Sequence, residues 1–374
     1  MFGYQVSGGI GNRQAAGYGT FMESLTTACV PAGRPRIRVL SLGAGPHSSA
    51  LLLLACEHRI PLFNAAIFAD PGWLHPAVHH RVEYLARIAE GAGIPLYRVS
   101  AGNIRDDALS PWRRFASMPL WYRGPDGRES SARRQCVTEY KTRPIKALIR
   151  ELLGYPPPAR VPGGVFAELA ISLTAAEIGQ ARDPDVRYLH YAYPLIGLGW
   201  TTADCRRYLF SRGLTAGPLA MCLGCPHHGN RWWRYLHDHE PGRWDEVVTF
   251  DRAIRHGHPR ASDRGQQLRG YYYLHMSRQP LDQVRLGPVR DLNGLPGYAE
   301  DGIRGGCSPW TRPVIRTPAD PQGDPAGTYV AASIRRSWTR VIKLGRAAVR
   351  RLAAVPRRRT RGQRRYPLAS GRRD

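Results

Sequence analysis

The sequence predicts an α/β fold: a parallel five-stranded sheet with helices on both faces, followed by a helical, cysteine-bearing segment and a basic tail. Three observations predict it. Short apolar, β-branched runs alternate with longer segments of helical spacing. The first run ends in a glycine turn that opens a helix. The order strand–helix–strand–helix–strand then suits a parallel sheet, because each parallel crossover needs a connection about as long as a helix.

Residues 36–43 (RIRVLSLG) read as a buried strand, and residues 48–58 as an apolar helix. Residues 65–69 form a second strand with Asp70 at its carboxyl end. Residues 75–90 have helical spacing, with Val78, Val82, Leu85 and Ile88 on one face. Residues 95–100 are a third strand, and 101–133 a polar loop bearing tryptophans. A helix is expected over 139–153, ended by Gly154 and the prolines at 156–158. Residues 166–172 and 188–196 are the fourth and fifth strands, with a helix capped by Thr174 between them. A helix over 201–212, a cysteine loop at 220–228 and helices near 231–239 and 244–254 follow. Residues 286–330, rich in Gly and Pro, look irregular, and 334–354 fit a basic amphipathic helix.

Composition excludes several classes. Hydrophobic residues make up 43% of 374, too many for a wholly disordered chain. The longest apolar run, 50–56, falls far short of the ~18 residues a membrane span needs. The first 33 residues are rich in Gly and lack the basic start and apolar core of a signal peptide, so a cytoplasmic protein is expected. Seven cysteines with one tight pair suit a metal or redox site better than a disulfide framework. The net charge is +25, and residues 335–374 alone hold fifteen Arg or Lys against one Asp. Polyanion binding is therefore a property to expect of the tail rather than of the core: the Arg-rich segment suits nucleic acid or equally a solvated, disordered end, and the 334–354 helix also suits an anionic membrane surface; no groove-reading motif predicts base specificity.

The segment Ser41-Leu42-Gly43-Ala44-Gly45-Pro46-His47-Ser48-Ser49 joins the first strand to its helix. Small residues let backbone approach a ligand, and free N–H groups at a helix start favour phosphate. A tight turn with serine caps is the plainer reading. The loop lacks the lysine of a Walker A motif and the third glycine of a dinucleotide fingerprint. Asp70 stands where open parallel sheets bind ligands, suited to a ribose, an adenine edge or Mg²⁺, or simply to a turn. Lys141 and Arg143 suit phosphate or sulfate, or a solvated helix face. Cys222 and Cys225 form a C-x-x-C loop that needs Cys136, and Cys205 or one of His227 and His228, to complete a metal site. An iron–sulfur cluster, zinc, a redox dithiol and ordinary buried cysteines all remain open.

Taken in order, these segments resemble the adenine-nucleotide α-hydrolases, the PP-loop ATP pyrophosphatases, in their PAPS reductase-like phage and bacterial branch. The loop at 41–49 resembles the PP-loop; Ile67 to Trp73 resembles the strand ending in Asp-Thr-Gly; Cys136 to Pro144 resembles the Cys-x4-Lys-x2-Pro segment. The stretches 171–177 and 193–196 resemble the next two elements, and 220–228 the Cys-x-x-Cys-Pro loop. The resemblance spans about 225 residues.

It implies a HUP-type, Rossmann-like domain over 34–260, between a flexible lead at 1–33, an irregular extension at 261–330 and a partly disordered tail at 331–374. It implies ATP and Mg²⁺ as cofactors, bound through Ser41, Gly43, Ala44, Gly45, His47, Ser48, Ser49, Asp70 and Gly72. Lys141, Arg143 and Cys136 would be catalytic, and Cys136, Cys222 and Cys225 would hold an iron–sulfur cluster, with Zn²⁺ as the alternative. The implied reaction is adenylation of a substrate with pyrophosphate release, in sulfur transfer or nucleic-acid modification. The alternatives are a PAPS- or APS-type sulfonucleotide reductase or binder and a nucleotide- or nucleic-acid-binding module without catalysis; one departure favours the second and another counts against the first. His47 replaces the motif's Asp, which suits a binding module without catalysis. Sulfonucleotide reductases end in a Glu-Cys-Gly-x-His motif, for which Gly305 to Ser308 is a poor substitute.

Overall fold

A computed structural model describes residues 33–113, 117–215, 221–258, 260–263, 266–267, 269–287 and 307–311. All of them lie in the first of two compact units, Met1–Ile315. The second unit, Arg316–Asp374, lies outside the described residues, and with it the expected basic helix and Arg-rich tail; so does the expected lead-in up to residue 32.

The central sheet contains β1 (Ile37–Leu42), β2 (Ala65–Asp70), β3 (Leu96–Ser100), β6 (Ala167–Ala170) and β7 (Leu189–Ala192), in the order β3-β2-β1-β6-β7 and parallel throughout. Alternation along the strands divides the core in two. Leu40, Leu42, Ala66 and Phe68 face α1 (Pro46–Cys56), α2 (Pro76–Gly91) and α6 (Thr202–Phe210). Val39, Ile67 and Ala69 face the other way, toward α4 (Arg143–Leu152) and Tyr191. Helix α1 is buried from Ser48 to Ala55, which explains its lack of a polar face: it is enclosed by the sheet, α2 and α6.

Four segments differ from expectation, for local reasons. The loop at 101–133 contains α3 (Ile104–Leu109), capped by the Asn103 side chain, and the hairpin β4 (Trp121–Arg123) with β5 (Glu129–Ser131). A local turn signal, Pro125-Asp126-Gly127, marks the hairpin, whereas its pairing with β10 (Tyr271–Tyr273), far along the chain, has no local signal. The expected helix at 139–153 begins as a π-helical turn, Thr138–Thr142, because Pro144 has no N–H for a regular ladder at that point. The Thr174 cap starts a short 3-10 turn, Ala175–Gln180, and the fifth strand stops at Ala192 because Pro194 opens α5 (Pro194–Gly197).

A third core lies beside the sheet. It joins α7 (Asn230–His239), α8 (Pro241–Ala253), β10, Trp73 and the cysteine loop. Asp251, wholly buried, ties it together: its carboxylate accepts from Leu274 N (2.8 Å) and Leu281 N (3.1 Å) and pairs with Arg255. A short ribbon, β8 (Ser262–Asp263) with β9 (Gln266–Gln267), precedes β10. No helix among the described residues is long and apolar enough to cross a membrane.

Candidate functional site

The glycine loop leaves β1 at the point where strand order reverses, between β1 and β6, the crevice where open parallel sheets bind ligands. Ala44 is left-handed (φ 56°) between two glycines, a backbone turn of the kind in which successive N–H groups can converge on an anion. Gly45 is the N-cap of α1, and Pro46 occupies the first turn, where its missing N–H costs nothing. Gly43 N donates to Ser48 Oγ (3.1 Å), which donates in turn to Gly45 O (3.4 Å). Ser48 thus holds the loop's shape. Ser49 Oγ is buried with no partner.

His47 does not reach over this loop. Its Nε2 lies 2.9 Å from Thr202 Oγ1 and its Nδ1 3.6 Å from Glu177 Oε2, so the ring ties α1 to α6 and to the Thr174 capping turn. Burial lowers its pKa, against the opposing pull of Glu177. Asp70 makes a turn: Oδ1 accepts from Gly72 N (2.8 Å), and Oδ2 lies 3.7 Å from His79 Nδ1. Gly72 is needed there, with φ 78° and room for no Cβ, which would meet Asn103 Cα at 2.7 Å.

Lys141 and Arg143 part company. Arg143 is exposed and pairs with Glu139 along the helix. The π-helical turn sends half-buried Lys141 inward, where its Nζ donates to Cys307 O (3.3 Å). Cys222 and Cys225 are buried there, with Cys136 and Cys307 packed against the same core. Burial opposes the charge on Lys141 and Arg134, but neighbouring thiols outweigh it and hold both pKa values up: Cys307, Cys222 and Cys136 for Lys141, and Cys307, Cys136 and Cys225 for Arg134. Burial raises Cys136 to about 12 and pushes Cys222 and Cys225 up as well. Burial would raise Cys307 too, but Lys141 and Arg134 pull it down to about 7.

The partners suggested by sequence for the C-x-x-C loop are not those found. Cys205 lies on α6, in the core on one face of the sheet, away from the thiols. His228 has Nε2 on Cys222 O (2.9 Å) and its ring stacked on Trp232 (4.6 Å); burial lowers it to about 3. It backs the loop as a neutral ring. Cys307, set aside on sequence grounds, comes in instead. It is carried by the segment 307–311, whose Trp310 is buried (1% exposed) edge-on to Tyr191 (5.7 Å) and donates to Ser41 Oγ (2.7 Å). Arg182 clasps the same segment through Pro309 O (2.8 Å) and Trp310 O (3.1 Å). A Gly-Cys-Ser-Pro-Trp stretch amid glycines and prolines carried one usable signal, a tryptophan and a cysteine three residues apart.

Among the described residues no group of three His, Cys, Asp or Glu side chains is gathered for a metal ion. The chemistry of the pocket nevertheless suits an anionic thiolate group. Arg134 Nε and Nη2 are buried with no partner, and Lys141 Nζ reaches the same cysteines through Cys307 O. Buried charge left uncompensated is costly.

No family model and no curated protein matches the chain. Among solved structures it is similar to U34-tRNA thiolase NcsA from Methanococcus maripaludis with its 4Fe–4S cluster, at 12% identity and a TM-score of 0.31, over 66% of this chain and 82% of that one. It is also similar to phosphoadenylyl-sulfate (PAPS) reductase from Candida auris in a phosphate complex, at 12% identity and a TM-score of 0.32, over 56% of this chain and 90% of that one.

Proposed function

We propose that this chain binds ATP with its phosphates on the Gly43–Ser49 loop and adenylates a substrate with release of pyrophosphate, in sulfur transfer or nucleic-acid modification. The observation that carries the reading is the loop itself: a left-handed Ala44 between glycines, a helix start and an unpartnered buried Ser49 Oγ, all at the reversal of strand order. A substrate oxygen would attack the α-phosphorus; the bond to the bridging oxygen breaks, and pyrophosphate leaves with that electron pair. Sulfur or nitrogen would then displace AMP. Loop N–H groups stabilise charge on the departing phosphates. Asp70, at the end of β2, would face the ribose or Mg²⁺, and Mg²⁺ would neutralise the pyrophosphate.

Cys136, Cys222 and Cys225 would hold an iron–sulfur cluster, with Arg134 and Lys141 as its counter-charges. Such a cluster supplies a redox-active or sulfur-handling centre when bound. The adenylated substrate would be a nucleic acid if the Arg-rich tail, which lies outside the described residues, delivers it.

Calorimetric titration of anaerobically purified protein with a non-cleavable α,β analogue of Mg-ATP, and separately with PAPS, tests the reading. Binding of the ATP analogue in preference to PAPS, weakened at least tenfold by Ser49→Ala, is expected. Preference for PAPS would put sulfonucleotide chemistry first. A second reading, nucleotide binding without cleavage, is favoured by one observation: His47 is tied to Thr202 and Glu177 and turned from the loop. Binding of ATP with no pyrophosphate release on any nucleic acid, in wild type and in His47→Asp alike, would select it.

A further inference from the structure

The four thiols of the pocket come from three distant stretches of chain, and only the last was unexpected. Cys307 is no bystander. Lys141 Nζ donates to its carbonyl (3.3 Å), and the Cys307 side chain packs against the same core as Cys136, Cys222 and Cys225. Its segment is anchored on the other side by Arg182 and by Trp310. A cysteine on a free loop would have no such fixed position.

Charge supplies a second argument. Two cations direct their charged ends into the pocket, and two nitrogens of one of them are buried and unpaired. Four thiolates around a doubly positive metal core carry two negative charges, which these cations match. Three thiolates around such a core would carry one, leaving a cation in excess.

We propose that Cys307 is the fourth thiolate of this site, so that Cys136, Cys222, Cys225 and Cys307 together hold a 4Fe–4S cluster with no open iron. The inference rests on the cluster reading above and sharpens it. A closed cluster offers no coordination position to an incoming sulfide, so sulfur for a substrate would have to come from elsewhere. The cluster would also share a short strap, 307–311, with the nucleotide loop, through the Trp310–Ser41 bond.

The test uses the full chain, reconstituted anaerobically with ferrous iron and sulfide. Iron and acid-labile sulfide are measured in wild type, Cys307→Ser, Cys307→Ala and the control Cys205→Ala. Wild type and control are expected to hold about four irons per chain. Their Mössbauer spectra should show no iron standing apart from thiolate coordination, and added hydrosulfide should leave them unchanged. Cys307→Ala should keep a cluster that loses one iron on mild oxidation, giving the electron paramagnetic signal of a three-iron centre. The wild-type spectrum decides the matter even if the variants fold poorly. A unique iron in wild type that responds to hydrosulfide would overturn the fourth ligand and leave a three-cysteine cluster standing. Wild type that takes up no iron, or only zinc, would overturn the cluster reading itself.

Discussion

Replacing Gly224 by alanine is the sharpest probe of how the cysteine loop is held. The loop's backbone lies flat against the Trp73 indole: a Cβ on Gly224 would stand 2.1 Å from Cη2, 2.7 Å from Cζ3 and 2.9 Å from Cζ2. Carbon atoms rest about 3.5–4.0 Å apart, so the ring must withdraw by about 1.5 Å. It has nowhere to go. Trp73 is 4% exposed, its ring lies 4.7 Å from Phe250, its Nε1 donates to Glu246 Oε1 (2.8 Å), and its carbonyl accepts from Leu223 N (2.8 Å). Overpacking of this kind costs about 1–3 kcal/mol, and a broken indole hydrogen bond adds about 1 kcal/mol. The sum, about 2–4 kcal/mol, corresponds to a fall in Tm of about 4–16 °C. Near-ultraviolet circular dichroism of the anaerobic protein would read it. Gly242→Ala serves as control: it lies in α8 with nothing within 4 Å of its Cβ, and should be neutral or slightly stabilising. A Gly224→Ala protein melting within about 1 °C of wild type would refute the packing of the loop on Trp73.

Three further outcomes follow from the geometry. Asp251→Ala should cost about 3–5 kcal/mol in urea titration, since it strands Arg255 and frees the N–H groups of Leu274 and Leu281; a loss below about 1 kcal/mol would contradict that role. Trp310→Phe should cost about 1 kcal/mol for the Ser41 bond, and Trp310→Ala about 3–5 kcal/mol for the lost packing; a Trp310→Phe protein as stable as wild type would mean the indole N–H contributes nothing. Burial lowers the pKa of His47 and of His275, so the unfolded chain binds protons that the folded one refuses. Stability from these groups is therefore full above the ordinary histidine range, near ~6.5, and falls as pH drops below it. Urea midpoints at pH 7.5 and 5.5 measure the effect, and His275→Asn should reduce the difference; a flat profile between them would sink the assignment.

The sheet was legible because its signals are local. In β1 and β2, apolar residues point to both faces, as buried parallel strands require, and the flanking helices carry their own spacing and caps. The third core was not legible, because its parts meet only in space. The strand Tyr271–Tyr273 declares itself by pairing with Trp121–Arg123. Lys141 and Arg143 look alike in sequence, yet a π-helical turn sends one to the thiols and leaves the other with Glu139. His47 stands in the glycine-loop segment of the sequence, but the residues that hold its ring, Thr202 and Glu177, lie more than a hundred residues away and leave no mark beside it.

The short strap at 307–311 also has a temporal meaning. All five strands of the central sheet have been synthesised once Ala192 has emerged, but the indole that lies against Tyr191 and Ser41 arrives more than a hundred residues later. At translation rates of about 5–20 residues per second, that interval is on the order of ten seconds. Until then the nascent chain carries an open seat beside Ser41 and a thiol pocket lacking its last cysteine. Maturation of the pocket is therefore a late event, and a ribosome stalled between β7 and residue 307 would display a finished sheet with an unfinished cysteine site.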